Sequence, residues 1–280
     1  MTETASLTST LPSPAPAAAD WARRGRHLVQ RLLPWLVPAL LLLGWQLSSS
    51  LGWLPTRVLP APVDVVQAFW QLAASGELWE HVKVSAGRAL LGLAIGGGLG
   101  LVLGLLTGSV RLLETLLDST IQMVRNIPAL ALIPLVILWF GIDEGAKLFL
   151  ISVSVFFPIY INTFHGIRNV DPALIEMGRT YGLSRWGLYT QVVLPGALSS
   201  ILVGLRFSLG LMWVILIVAE TISAQAGIGY LTMNAREFLQ TDIVLVGILL
   251  YAALGKLADL FAKSLERFWL RWHPGYQSAH

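Results

Sequence analysis

The sequence predicts an all-α polytopic membrane protein with about six transmembrane helices. Of its 280 residues, 55% are hydrophobic and 12% are charged, and the mean hydropathy is +0.68. Because a soluble domain carries about 25% charged residues, this chain has too few charges to cover a surface that faces water. A bilayer core about 30 Å thick requires roughly 20 apolar residues in a helix, and runs of that length recur along the chain.

Short polar segments separate the six expected spans. The spans lie near Leu33–Ser50, Ser85–Thr107, Ile121–Phe140, Lys147–Phe164, Ser200–Ile222 and Ile243–Lys263. Pro128 and Pro134 fall in the third span and Pro158 in the fourth; prolines kink membrane helices but are tolerated where neighbouring groups satisfy the freed backbone. We expect the semi-polar segment from Ser223 to Asp242 to be re-entrant or to lie along the membrane surface.

The spans divide the chain into four regions. Residues 1–30 are predicted to form a disordered cytoplasmic tail, because Met1–Asp20 is rich in Ser, Thr, Pro and Ala. Residues 31–80 would hold the first span and a periplasmic segment, residues 81–266 the main membrane domain, and residues 267–280 a cytoplasmic C-terminal tail. A secretory signal peptide is the alternative for the start of the chain, but the apolar run there is long and lacks a clear cleavage site.

Lys and Arg residues predict the orientation, because they concentrate on the cytoplasmic side of membrane proteins. With a cytoplasmic N-terminus, the inner segments would hold Arg23, Arg24, Arg26, Arg31, Arg111, Arg125, Arg168, Arg179, Arg185, Lys256, Lys263, Arg267 and Arg271. The outer segments would hold only Arg57, Lys83, Lys147 and Arg236. We therefore place both termini, and the loop from His165 to Ser199, in the cytoplasm.

That loop is predicted to form two short helices around a glycine turn. Asp171 and Pro172 are suited to the cap and first position of a helix, and Gly182 permits the left-handed turn that ends it. A second short helix would begin near Trp186 and be broken by Pro195. The apolar set on the first helix is Ala173, Leu174, Met177 and Tyr181. Exposed apolar residues on a helix suit a groove on another protein, although an ordinary amphipathic connector is the alternative.

The loop also has a regular spacing of marked residues: Glu176, Gly182 six positions later, Val192 ten positions after that, and then Leu194 and Pro195. This spacing resembles the EAA loop of binding-protein-dependent ABC transporter permeases, although Met177 and Gly178 stand where the family has paired alanines. Gly178 would weaken the helix by about 1 kcal/mol relative to alanine. The resemblance covers roughly His81 to Glu266 and implies the type I importer fold, with the loop as the coupling helix that docks on an ATPase subunit.

The resemblance also implies partners. We expect two copies of a cytoplasmic ATP-binding subunit, a periplasmic substrate-binding protein and a second permease copy, most simply a homodimer, in the bacterial inner membrane. ATP and Mg would be bound by the partner ATPase, with no cofactor, metal or nucleic acid bound by this chain. The receptor would dock near Arg57–Lys83 and Gly227–Thr241.

Longer segments are similar to the aliphatic sulfonate permeases of the nitrate/sulfonate/taurine group. These segments are Arg125–Glu144, Phe157–Arg168, Ala219–Ala224 and Gly227–Asp242. The resemblance implies import of aliphatic sulfonates, with taurine or nitrate as the alternative substrate within the group. A self-sufficient secondary transporter and an intramembrane enzyme are less consistent with the sequence, because it shows no internal repeat, P-loop, nucleophile elbow or metal motif.

Two sets of residues within the spans are further candidates. Glycines at every fourth position of the second span, Gly92, Gly96, Gly100, Gly104 and Gly108, predict close packing against another helix. The polar residues Arg88, Asn126, Asn162, Arg206 and Glu220 are candidates for the translocation path. Arg88 and Arg206 could instead cap or snorkel from span ends, and Glu220 could pair with Arg236 or lie near an outer gate.

Overall fold

The computed structural model describes residues 16–53, 55 and 57–272 of the chain, and in these residues all regular secondary structure is helical. The helices are α1 (Pro16–Ser50), α2 (Pro62–Ser75), α3 (Glu77–Ser109), α4 (Arg111–Arg125), α5 (Ile133–Phe140), α6 (Glu144–Arg168), α7 (Pro172–Thr180), α8 (Arg185–Ile222), α9 (Ile228–Glu237) and α10 (Thr241–Trp269). Single π-helical turns interrupt α3 at Leu93–Gly97, α4 at Glu114–Asp118 and α8 at Tyr189–Val193. The all-α prediction is confirmed.

Four described helices, α3, α6, α8 and α10, are long and apolar enough to cross a membrane. Helix α4 and the segment Ala129–Phe140 pass the same test together, but their axes meet at 83°, so they form one broken span or a re-entrant segment. The described part of the chain therefore supplies four or five spans, fewer than the six predicted. The run Leu33–Ser50 lies within α1, which is not among these helices.

The third expected span is not one straight helix. Helix α4 ends at Arg125, Asn126 forms its C-terminal cap, and Pro128 has an extended backbone before the 3₁₀ turn Ala129–Leu132. Proline has no N–H to continue a helix, and it disfavours helical geometry in the residue before it. The break at Asn126–Pro128 therefore follows from the local sequence.

The chain divides into two compact units, Met1–Val63 and Asp64–His280. The first unit holds α1, which begins inside the segment predicted to be a disordered tail, while residues 1–15 lie outside the described part. In this unit the Trp45 indole N–H donates to the carbonyl of Pro60 at 3.0 Å. The second unit holds α3 to α10 and most of α2, and it contains the predicted residues of the coupling loop, the translocation path and the glycine-lined helix face.

Helix α6 lies at the centre of the second unit, against both α3 and α8. The spaced glycines of α3 face it. A Cβ atom added at Gly96 would overlap the backbone of Ser152, and one added at Gly100 would lie 2.6 Å from the carbonyl oxygen of Phe156. Gly92, Gly104 and Gly108 likewise leave room for Ile151, Thr163 and Ile167 of α6. The absence of side chains lets the two helices approach closely.

Candidate functional site

The end of the second unit that contains α7, here called the α7 end, has the helix, glycine turn and helix that the sequence predicted. The Asp171 carboxylate accepts a hydrogen bond from the Ala173 N–H at 2.8 Å, and Pro172 occupies the first turn of α7. Gly182 has φ +78°, a left-handed conformation that costs glycine little and other residues more. Ser184 then caps the next helix, accepting from the Gly187 N–H at 3.1 Å.

The predicted break at Pro195 is wrong. Helix α8 continues from Arg185 through Pro195 to Ile222, with one π-helical turn on the way, so the second short helix of the loop is the first part of a membrane span. A proline inside a regular α-helix clashes with the carbonyl four residues before it. Here the π-helical turn Tyr189–Val193 comes just before Pro195 and widens the helix at that point, so that the chain accommodates the ring.

Residues 171–195, here called the α7 loop, have exposed apolar side chains. Tyr181 is 81% exposed and Trp186 is 74% exposed, and Leu174 and Met177 are also exposed. The Glu176 side chain is exposed on the same helix, whereas Val192, Leu194 and Pro195 are half-buried. Gly178 is buried, and a Cβ atom there would lie 2.7 Å from Cδ1 of Leu188. Its lack of a side chain therefore favours packing of α7 on α8, which offsets its low helix propensity.

The opposite end of the unit, where α9 lies, closes around a buried carboxylate. The Glu220 side chain has no exposed surface. Its oxygens accept hydrogen bonds from Ser85 Oγ at 2.7 Å, Arg88 Nη1 at 2.7 Å, the Gly229 N–H at 2.9 Å and Tyr251 Oη at 2.9 Å. These donors come from α3, α9 and α10, so one carboxylate on α8 holds three other helices.

Arg88 extends this cluster to α6. Its guanidinium donates to both oxygens of Glu144, at 2.6 Å each, and to the carbonyl of Ala226 at 2.6 Å. Lys147 Nζ lies 3.1 Å from the same Glu144. Two cationic and two anionic side chains therefore balance one another. We call Ser85, Arg88, Glu144, Lys147, Glu220 and Tyr251 the polar clamp.

The clamp corrects two expectations about charged residues. Glu220 pairs with Arg88 and not with Arg236, whose side chain lies near the Met233 sulfur instead. Arg88 is 6% exposed and forms ion pairs inside the unit, so it does not snorkel from a span end. Sequence reasoning missed Glu144 and Tyr251. The only signal for Glu144 was its place at the start of an apolar helix, since contacts between distant helices leave no trace in a single sequence.

The segment before α9 is tied to α3 by backbone hydrogen bonds. The Gly227 N–H donates to His81 Nδ1 at 3.1 Å, and the Ile228 N–H donates to Ser85 Oγ at 2.8 Å. Gly227 has φ +116°, and a Cβ atom there would meet both Glu220 and Arg88. The clamp and the α9 segment are therefore one assembled structure.

The remaining polar candidates lie apart from the clamp. Arg206 of α8 is half-exposed and lies 2.9 Å from Asp259 and 3.7 Å from Glu266, both on α10. The Asn162 amide donates to the carbonyl of Pro158 at 2.8 Å. Asn126 is exposed at the end of α4. The structure therefore brings together Arg88 and Glu220 but not the other three.

A groove of about 480 Å³ lies beside the break between α4 and α5. Its walls are Arg125, Ile127, Pro128, Ala129, Leu130, Val153, Ser154, Phe157, Pro158, Ile161, Asn162, Phe207, Leu211 and Ile215. Asn162 lines this groove. Asn126 does not line it, but the neighbouring residue Arg125 does. The groove is thus apolar with three polar side chains, from Arg125, Ser154 and Asn162. Within the described residues no cluster of His, Asp or Glu side chains is arranged to hold a metal ion.

Comparison with known families decides what kind of protein this is. Residues 97–271 match the family described as the binding-protein-dependent transport system inner membrane component. The chain belongs to this family. It is therefore a membrane permease subunit of a transport system. Family members work with an ATP-hydrolysing subunit and a substrate-binding protein.

Curated relatives cover most of the chain. It is 65% identical to a protein of Escherichia coli (strain K12) named as a putative aliphatic sulfonates transport permease. The match extends over 246 residues, which are 88% of this chain and 94% of that protein. A Bacillus subtilis (strain 168) protein of the same name is 46% identical, over 86% of this chain and 88% of its own. The taurine transport system permease of E. coli is 35% identical, over 85% and 89%. The sulfonate permeases are thus more similar to this chain than the taurine permease.

A solved structure supports the fold. A chain from the crystal structure of an amino acid ABC transporter with histidines superposes with a TM-score of 0.53 and 18% identity, covering 70% of this chain and 97% of that one. At this identity the likeness concerns the fold alone. The predicted fold of a type I importer permease is confirmed.

Proposed function

We propose that this chain is the permease subunit of an ATP-driven importer of aliphatic sulfonates in the bacterial inner membrane. The α7 loop would couple it to a separate cytoplasmic ATPase. The observation that carries the proposal is the group of exposed apolar side chains Met177, Tyr181 and Trp186, which lie on the capped helix α7, directly after it and at the start of the span α8. An amphipathic helix of this kind fits a groove on a partner.

The continuity of α8 suggests how movement would travel. A helix rises about 1.5 Å per residue, so α8 is a rod long enough to cross the bilayer and project beyond it. Trp186 lies near one end of this rod and Glu220 near the other. A displacement of α7 by two ATPase subunits, one on each permease copy, would therefore reach the polar clamp as a movement of the whole helix.

The positive-inside bias supports placing both termini and the α7 end in the cytoplasm. The α9 end would then face the periplasm and receive the substrate-binding protein. In this region Phe238 is 69% exposed and Leu239 is 74% exposed, in the turn between α9 and α10. These side chains lie within the predicted receptor segment Gly227–Thr241.

The clamp and the groove divide the roles proposed for the intramembrane polar residues. Arg88 and Glu220 satisfy each other, so they serve to hold α3, α6, α8 and α10 together and are poor ligands for a passing anion. Arg206 is similarly engaged by α10. The groove beside Asn162 is the better candidate for the path, and a second copy of the chain would complete it as a homodimer. ATP and Mg would be bound only by the partner ATPase.

The substrate assignment rests on the relatives. Two similar permeases are named for aliphatic sulfonates, and the taurine permease is less similar. Taurine, itself an aminosulfonate, and nitrate are the alternatives within this group of anions.

Uptake by a reconstituted complex tests the proposal. Proteoliposomes would hold this chain, its ATPase and its receptor, with Gly182→Pro and Gly182→Asn beside the parent. Proline fixes φ near −65° and cannot adopt the turn, whereas asparagine tolerates left-handed geometry. We expect ATP-dependent alkanesulfonate uptake by the parent and by Gly182→Asn, and its loss in Gly182→Pro. Uptake that needs no ATP would contradict the importer assignment, and uptake of taurine or nitrate alone would change only the substrate.

A further inference from the structure

The groove beside the helix break lies in the middle of the spans that form it. Its α6 wall runs from Val153 to Asn162, within a helix that extends from Glu144 to Arg168. Arg125 is the last residue of α4, directly before the break. The Lys and Arg bias placed it in an inner segment, but Arg125 lines the groove together with residues from the middle of α6, which puts it at their depth. A charge at that depth is costly and is by default a candidate for function.

Arg125 is the one cation among the residues that line this groove, and unlike several other cations of the spans it has no carboxylate partner. Arg88 pairs with Glu144 and Glu220, Arg206 with Asp259, and Arg168 with Glu114. Lys147, Lys256 and Lys263 are also paired. Among the residues that the structure describes, no acidic side chain lies within ion-pair distance of Arg125. Its charge is therefore available to an anion from outside the chain.

We propose that Arg125 binds the sulfonate group of the transported anion while the alkyl chain lies along the apolar wall of the groove. This assignment rests on the proposed function, and it adds the residue that recognises the substrate within the membrane. A guanidinium presents two parallel N–H donors that match two oxygens of a planar or tetrahedral oxyanion. The bound anion would neutralise the one unpaired cation in this groove.

The apolar wall accounts for the rest of such a substrate. Ile127, Leu130, Ile161, Leu211 and Ile215 offer hydrocarbon surface but no donors. A volume of about 480 Å³ accommodates an alkyl chain of several carbons. An inorganic anion such as nitrate would leave this surface unused, so the groove favours an amphiphilic anion with a charged head and an apolar tail.

Uptake of methanesulfonate and hexanesulfonate by the reconstituted complex tests this site. We expect Arg125→Gln to lower uptake of both about tenfold or more, because a charge-assisted hydrogen-bond pair is lost. Receptor-stimulated ATP hydrolysis should continue in this variant, and Arg125→Lys should restore part of the uptake. Arg111→Gln, at the exposed start of the same helix, is the matched control and should transport like the parent. Leu211→Trp, which narrows the groove, should reduce hexanesulfonate uptake more than methanesulfonate uptake.

Each other outcome identifies a different error. Normal uptake by Arg125→Gln in a complex that transports alkanesulfonates would overturn the site and leave the proposed function intact. If Arg125→Gln loses both the dimer and the uptake, Arg125 pairs with a second copy of the chain, and the proposed substrate site is also overturned. A parent complex that transports no sulfonate would contradict the proposed function itself.

Discussion

The two ends of the second unit differ in what they bury: the α9 end buries charged side chains, whereas the α7 end exposes large apolar ones. At the α9 end, Glu220 and Arg88 are buried and every oxygen of Glu220 has a donor. At the α7 end, Tyr181 and Trp186 are exposed although they are large and apolar. One end has charged groups buried away from water, and the other has apolar surface that no residue in the described part of the chain covers.

This difference shows which end is complete and which awaits a partner. Buried charges persist only when they are paired and hydrogen-bonded, and those of the clamp are. Exposed aromatic side chains clustered on a projecting helix are typical of an interface. The clamp therefore stabilises the permease itself, whereas under the proposed function the α7 loop would contribute energy only when the ATPase is bound. Substitutions at the two ends should separate stability from coupling.

Glu220→Ala should have the largest effect on stability. Removing one partner of a buried ion pair takes away the acceptor of Tyr251 and one of the two carboxylates that Arg88 contacts, and it costs about 3–5 kcal/mol. Thermal unfolding of the purified permease in detergent would measure the loss. Glu237→Ala removes an exposed carboxylate at the same end and should stay within about 0.5 kcal/mol of the parent. Equal stability of the two variants would mean that the clamp does not hold the helices together.

Gly96→Ala tests the seam between α3 and α6, which connects the two ends. The added methyl group would overlap the backbone of Ser152, and such overpacking costs about 1–3 kcal/mol. Gly98→Ala is a close control, because a Cβ atom there meets nothing within 4 Å. The same unfolding experiment should show a loss for Gly96→Ala only. A similar loss in both variants would point to helix propensity or membrane effects and not to packing.

Tyr181→Ala should weaken binding of the ATPase while leaving the permease as stable as the parent. Truncating an aromatic residue at the centre of an interface costs about 2 kcal/mol, or roughly thirtyfold in affinity. Titration of the ATPase onto immobilised permease would measure it. Phe238→Ala removes an aromatic side chain that is also exposed, at the other end, and should leave this affinity unchanged. Weaker binding in Phe238→Ala but not in Tyr181→Ala would reverse the assignment of the two ends.

Arg206→Gln should have the smallest effect of the four. Arg206 is half-exposed, and ion pairs of exposed side chains contribute little to stability. Its unfolding midpoint should remain close to that of the parent and well above that of Glu220→Ala. A loss comparable to that of Glu220→Ala would show that the Arg206–Asp259 pair is a second clamp.

Local signals in the sequence predicted the α7 end well and the α9 end poorly. Asp171, Pro172 and Gly182 act within a few residues of one another, so caps and turns can be identified from their order. Glu220, Arg88 and Tyr251 meet from three helices distant in sequence, and one sequence contains no record of that contact. The continuous path of α8 through Pro195 was also missed, because a compensating π-helical turn is not visible in the amino-acid order.

The proposal that the ATPase contacts the α7 end and not the α9 end can be tested directly by crosslinking, because the chain has no cysteine. A single cysteine would replace Tyr181 in one variant and Phe238 in another, and each would be treated with a short thiol-to-amine crosslinker in the complete complex. The account predicts a crosslink to the ATPase from position 181 and none from position 238. A crosslink to the ATPase from position 238, with none from position 181, would contradict it.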